Sequence, residues 1–203
     1  MLRIKALKFF SILILTGGIF SSQNIQAQRD KGEEVLSLGA GLSYWNLLMG
    51  FVGDSLITTS TPTFDLTYDY GITHNFSIGA AVSYNSFSFI NPRYSYVNSS
   101  GVIIYESISV KYSLVNVAIR PLYHWGKKEN FEWHTGLRMG YGFWNAKLNT
   151  TDPYYKDEFY RKDVYQIQVL FGSRAYFSEY MAITFDVGLG SPYFASIGLS
   201  LKL

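Results

Sequence analysis

Three histidines, and acids and arginines on the polar side of alternating apolar runs, are the residues of this 203-residue chain that could do chemistry. Hydrolysis would need a nucleophile, a base and an orienting group in mutual reach. His74, His124 and His134 each lie beside or within short polar turns, and no local His–Ser pattern accompanies them. No Cys is present, which excludes a thiol nucleophile, a thiolate metal site and a disulfide. No metal-ligand spacing or phosphate-binding Gly loop is evident. The Gly39/Gly41 and Gly140/Gly142 pairs lack the following helix that a dinucleotide loop needs. Neither a catalytic residue nor a cofactor is therefore expected.

The remaining charges form a pattern of their own. Asp65, Asp69, Glu132 and Asp186 share a parity with Arg120, Arg138, Arg174 and Lys202, each on the small-or-polar side of an alternating run. Four acids stand against four bases, with His124 and His134 among them. Charges in a low-dielectric interior must pair. The pattern predicts a charge network across a lumen, with Gly136, Gly140, Gly172 and Gly188 leaving room for long Arg side chains to lie flat.

The elements that would position these groups are strands. Apolar and small-or-polar residues alternate with a period of two in eight segments, the last being Ala195, Ile197, Leu199, Leu201 and Leu203 against Ser196, Gly198, Ser200 and Lys202. Tyr193 shares the apolar parity and is expected on the same face. Connections after the second, fourth and sixth segments are short, whereas 46–61, 91–107 and 146–163 read as long loops. Alternating short and long connections, in a chain rich in Tyr (17), Phe (15) and Gly (18), predict an all-β, eight-stranded antiparallel up-and-down transmembrane β-barrel. Its first and last strands would pair, leaving no edge.

Aromatic residues are expected to form two girdles at the membrane boundaries. Tyr70, Phe76, Tyr123, Trp125, Phe131, Trp133 and Phe177 lie near the short turns. Tyr44, Trp45, Tyr84, Tyr112, Tyr141, Phe143, Trp144 and Tyr165 lie toward the long loops. Pro121 is expected near a boundary, where a missed ladder bond can be hydrated. Lys111 falls on the apolar parity and must lie above the hydrocarbon or follow a bulge. A soluble carrier of the lipocalin type would place the apolar face inward instead; the Gly- and Ser-rich polar face and its nearly balanced charges favour polar inside.

Residues 1–27 read as a secretory signal peptide, with Arg3, Lys5 and Lys8 before an apolar run and a cut after Ala27. Residues 28–34 follow as a short periplasmic lead, and 35–203 as the barrel. Of 17 basic residues, three fall within the signal, so the mature chain would carry 14 against 15 acidic ones, a net charge of −1. The basic balance is thus no argument for nucleic acid as a partner.

The segments 116–125 (Asn-Val-Ala-Ile-Arg-Pro-Leu-Tyr-His-Trp), 171–177 (Phe-Gly-Ser-Arg-Ala-Tyr-Phe), 185–190 (Phe-Asp-Val-Gly-Leu-Gly) and 197–203 (Ile-Gly-Leu-Ser-Leu-Lys-Leu), together with Gln28 after the cut, resemble small outer-membrane barrels of the outer membrane protein A and X superfamily. In particular the chain resembles the porin-family "outer membrane β-barrel domain" proteins of Bacteroidetes-like bacteria. The resemblance covers essentially the whole mature chain. It implies location in the cell outer membrane of a Gram-negative envelope, contact with lipid and lipopolysaccharide, and delivery to the barrel assembly machinery. Such proteins usually end in an aromatic residue, whereas this chain ends in Leu203.

The function expected is non-enzymatic, with an envelope-integrity role or a surface interaction through the loops. Tyr94, Tyr96, Tyr154, Tyr155 and Tyr160 are the loop residues that could contact an extracellular partner. A narrow porin-like channel, or a carrier of small apolar ligands, is the alternative. A lipid A-modifying enzyme is a third reading.

Overall fold

The computed structural model describes residues 31–44, 46, 57–97, 100–128, 130–150 and 159–203. The segment read as a signal peptide, Trp45, Tyr154 and Tyr155 lie outside the described residues. The strands are β1 (Glu34–Leu42), β2 (Ile57–Ser60), β3 (Thr63–Thr73), β4 (Phe76–Val97), β5 (Ile103–Lys128), β6 (Phe131–Thr150), β7 (Phe159–Tyr176), β8 (Met181–Gly190) and β9 (Ala195–Lys202).

Each strand pairs antiparallel with its neighbours, and eight of them close a ring in the order β4-β3-β1-β9-β8-β7-β6-β5 with β5 returning to β4. Closure is made by the first and last strands, in register from Val35↔Lys202 to Leu42↔Ala195. The fold is therefore an eight-stranded antiparallel up-and-down barrel. β2 is the continuation of β3 beyond Thr61-Pro62. Pro62 has no N–H to give the ladder, and the chain resumes its pairing with β4 at Ser60↔Phe87.

The barrel presents to its surroundings what a soluble protein hides. Leu38 and Leu199, paired across β1 and β9, are 63% and 55% exposed, whereas Arg120, Arg138 and Arg174 are each at most 1% exposed. Leu36, Leu66, Tyr68, Ile78, Val117, Ile119, Ile167, Val169, Ile183 and Phe185 continue the outward apolar face. Such a surface suits an apolar medium, and the outward apolar spans 64–72, 76–84, 181–189 and 195–203 match the roughly 9–11 residues with which a tilted strand crosses a hydrocarbon core. Among the described residues no helix is long and apolar enough to cross a membrane.

The wall is uneven. β4, β5, β6 and β7 run for 22, 26, 20 and 18 residues, but β1, β8 and β9 for only 9, 10 and 8. Four adjacent strands, flanked by β2, thus rise above the rest. This corrects the reading of 91–107 as a loop. β4 and β5 pair as far as Val97↔Ile103, so Tyr94 and Tyr96 are strand residues opposite Glu106 and Ile104. Tyr160 likewise belongs to β7, opposite Ala146.

No bulge separates Lys111 from the barrel below it, since the β4–β5 register shift lies beyond Ile108. Pairing is continuous through Lys111↔Ser88 and Lys111↔Lys147, which sets two outward lysines side by side on the raised wall. At Pro121 the β5–β6 ladder passes from Ile119↔Met139 to Leu122↔Gly136 without pairing Arg120 or Pro121. On the other side Pro121 pairs with Ile78, near the start of β4.

Candidate functional site

Period-two alternation sends every second residue of the ring inward, and the inward residues form layers. At the short-turn end, the His124 imidazole joins Ser77 to Glu132: Ser77 Oγ lies 2.8 Å from Nε2, and Nδ1 meets Glu132 Oε1. Tyr176 donates its hydroxyl to Glu132 Oε2 at 3.3 Å. Above lies an ionic layer. Arg174 spans Asp69 (2.6 Å) and Glu132 (3.7 Å). Arg120 spans Asp69 (3.3 Å) and Asp186 (3.8 Å). Asp186 also meets His134 Nε2 at 2.7 Å and accepts from the Tyr193 hydroxyl at 3.4 Å.

A further layer holds Arg138. Its guanidinium donates to Asp65 (2.7 Å), Ser83 (3.2 Å) and Asn116 (3.2 Å), and lies 5.7 Å from the Tyr193 ring centroid. Asn116 in turn donates to Gln166 at 2.7 Å. Strands β3 to β8 all contribute to these layers. In a low-dielectric interior such pairs are strong, but each needs its partners, because an unpaired buried charge costs several kcal/mol.

Seven of the eight expected lumen charges are buried inside: Asp65, Asp69, Arg120, Glu132, Arg138, Arg174 and Asp186. Lys202 is at the lower mouth, 3.1 Å from Glu33 and 4.8 Å from the Tyr176 ring centroid. Glu33, just before β1, was not among the expected residues. The predicted use of the glycines is also corrected. A Cβ at Gly172 would strike Asp186 and His134, one at Gly188 would strike Gln168, and those at Gly136 and Gly140 would strike β5. The space they leave is filled by acid, imidazole, amide and backbone, not by arginine. Gly79 is the glycine that admits an ion pair, since its Cβ would meet both Asp69 and Arg120.

Tyr193 is the clearest departure. It was expected on the outer face and is fully buried instead, packed with Leu122 and Leu170. Residues 191–194 are not strand, so β9 begins at Ala195 and its parity cannot be extended back through the turn. One void beside the ionic layers, lined by Ser37, Asp65, Thr67, Arg120 and Thr184 among others, has a volume of about 20 Å³, space for a single water.

Ser77, His124 and Glu132 have the hydrogen-bond sequence of a nucleophile, a base and an orienting acid. Sequence reading missed it because strands β4, β5 and β6 supply one member each. All three residues are 0% exposed. Among the described residues no group of His, Cys, Asp or Glu could hold a metal ion.

A second candidate lies above the ionic layers. Up to Tyr84, Val115, Phe143 and Tyr165 the outward residues are apolar and the inward ones polar. Higher on the raised wall the arrangement reverses. Outward stand Ser88, Ser113, Lys111, Asn145, Lys147, Arg161 and Asp163; inward stand Phe87, Phe89, Tyr112, Trp144, Ala146 and Val164. Tyr112 and Trp144 are therefore not girdle residues. The inward Tyr112 ring stacks on Phe87 with centroids 5.0 Å apart, and the Trp144 ring meets Phe87 edge to face at 6.0 Å. The inward face encloses an open hollow of about 410 Å³, lined also by Tyr160 and Lys162. Tyr70, Phe76, Tyr84, Tyr123, Trp125, Phe131, Trp133, Tyr141, Phe143 and Tyr165 lie on the outward face of their strands, with Trp125 stacked on Trp133 at 6.0 Å near the short turns, whereas Tyr44 and Phe177 lie outside the strands.

No protein-family model matches the chain, and no curated protein does. Among solved structures it is similar to the outer membrane protein OprG of Pseudomonas aeruginosa (9% identity, 87% of this chain and 98% of that one, TM-score 0.49). It is also similar to Ail, the attachment invasion locus protein of Yersinia pestis (12%, 85% and 95%, TM-score 0.46), and to a barrel from the de novo design of transmembrane β-barrels (10%, 87% and 99%, TM-score 0.48).

Proposed function

We propose that this chain is an integral protein of a bacterial outer membrane, exported by a cleaved signal peptide, with no enzymatic activity and a lumen closed by its own charge network. The observation that carries the reading is the inversion of burial: arginines inside, leucines outside. Lipid on the outer face turns that inversion from a liability into the source of stability, because the interior charges are paired and the apolar belt is covered. Short turns then face the periplasm, and the raised wall with its long connections faces out, among lipopolysaccharide. The role is mechanical support of the envelope or interaction through the raised wall. The barrel assembly machinery inserts it.

A closed lumen is supported by the burial of Arg120, Arg138 and Arg174, which span it. The test is planar-bilayer conductance of the folded mature chain. The reading expects no steady current, with current rising in Arg138→Ala, which removes a lumen-spanning side chain. Steady large currents from the unaltered chain would overturn the closed lumen in favour of a porin-like channel.

Hydrolysis has one observation in its favour, the Ser77–His124–Glu132 series. Against it stands burial: a nucleophile packed inside the lumen at the short-turn end meets no acyl substrate. Lipid A modification would in addition require the chemistry at the opposite, outward end.

A further inference from the structure

A membrane barrel needs an apolar outer belt, but nothing about crossing a membrane requires an apolar inner face above that belt. On the raised wall polar residues already face outward, as on a soluble protein, so the aromatic inner face serves neither lipid contact nor the ionic layers. It is one register row deep and more: Phe87, Tyr112, Ala146 and Tyr160 stand side by side on β4 to β7, and Leu114, Trp144 and Lys162 form the row beneath. The Asn116–Gln166 amide pair closes the floor. The resulting hollow, about 410 Å³, has the size and largely apolar lining of a small-molecule site.

One cation enters it. Lys162 lines the hollow directly across from Trp144, and among the described residues no carboxylate pairs with it. Its neighbours Arg161 and Asp163 point to the other face and pair with each other at 3.4 Å. An ammonium at the side of an aromatic hollow complements a ligand with an apolar chain and a single negative head.

We propose that the hollow binds one amphiphilic monoanion, such as a medium-chain carboxylate, with its chain against Phe87, Phe89, Tyr112 and Trp144 and its head at Lys162. The geometry requires the barrel fold but not its placement in any particular membrane.

Bromine quenches tryptophan fluorescence at contact, and with Trp45→Phe as the background Trp144 lines the hollow while Trp125 and Trp133 face outward near the short turns. The mature chain, folded into lipid nanodiscs, is titrated with 12-bromododecanoate and with 12-bromododecanol. The expected result is saturable quenching by the carboxylate at one per chain. It should be lost in Trp144→Phe and in Ala146→Phe, which fills the hollow. In Lys162→Gln the carboxylate should bind about tenfold more weakly, the loss of one charge-assisted contact, while the weaker binding of the alcohol is unchanged.

Quenching that rises without saturation and survives Trp144→Phe would mean partition into the bilayer and would overturn the proposal. Equal binding of alcohol and carboxylate, indifferent to Lys162→Gln, would overturn it in favour of a neutral apolar ligand. Heat-modifiable migration of the same preparations reports separately on the membrane-barrel reading and shows that each variant is folded.

Discussion

Arg174 on β7 reaches Asp69 on β3 across the lumen at 2.6 Å, a contact between residues 105 positions apart in the chain. Asp69 also receives Arg120, and Arg174 also approaches Glu132. The pair therefore sits at the junction of two branches: one leads to His124 and Ser77, the other to Asp186 and His134. Opposite walls of the barrel are joined by charge rather than by an apolar core.

Arg174→Ala leaves Asp69 and Glu132 short of a cation in a fully buried site, and should destabilise the folded barrel by about 3–5 kcal/mol. Asp69→Leu with Arg174→Met removes one charge of each sign and should cost less than the sum of the single changes. Urea unfolding of the chain in lipid vesicles measures both. A loss below about 1 kcal/mol for Arg174→Ala would mean that the network is not what holds the walls together.

Gly172→Ala should destabilise by about 1–3 kcal/mol, because the new methyl must displace Asp186 and His134, which hold each other at 2.7 Å. The same unfolding experiment reads it. An unchanged midpoint would mean that the ionic layer can move aside.

Exposure alone makes Leu199 and Lys111 alike, both outward and accessible. Their media differ. Leu199→Arg places a charge mid-belt, between Leu38 and Ile183, and should cost about 2–4 kcal/mol. Ser113→Lys, beyond the upper edge of the belt, should cost less than about 1 kcal/mol. Equal and small effects at both positions would indicate water around the whole barrel.

A fluorophosphonate probe should not label Ser77 in the folded chain, since the serine, histidine and glutamate are all enclosed. Stoichiometric labelling that disappears in Ser77→Ala would revive the hydrolytic reading. Mass spectrometry of the labelled protein decides between them.

Much of the fold was legible because period-two alternation is a local signal. The inward place of Asp65, Asp69, Arg120, Glu132, Arg138, Arg174 and Asp186 follows from parity carried along single strands, and the pairing of β1 with β9 from the need of eight such strands to leave no edge. Where parity is interrupted or its meaning changes, the reading failed. Tyr193 shares its parity with Ile197 but is cut off from it by a turn. At Asn85-Ser86 two polar residues in succession shift the phase of the alternation while the strand pairing continues, so Phe87 and Phe89 face inward. Reading apolar as outward broke the strands there, turned 91–107 into a loop, and assigned Tyr112 and Trp144 to a girdle. The Ser77–His124–Glu132 series and the Glu33–Lys202 pair join separate strands, so only the register could reveal them.

The measurement that bears most directly on the central claim is the folding of the mature chain, diluted from urea, into lipid vesicles and into plain buffer side by side. The account predicts that the chain floats with the vesicles, resists protease and migrates as a heat-modifiable band, while in buffer it aggregates because its apolar belt is uncovered. A chain that folds in buffer, stays monomeric and ignores the vesicles would contradict it. The outward leucines would then be a surface tolerated by water, and the barrel a soluble one.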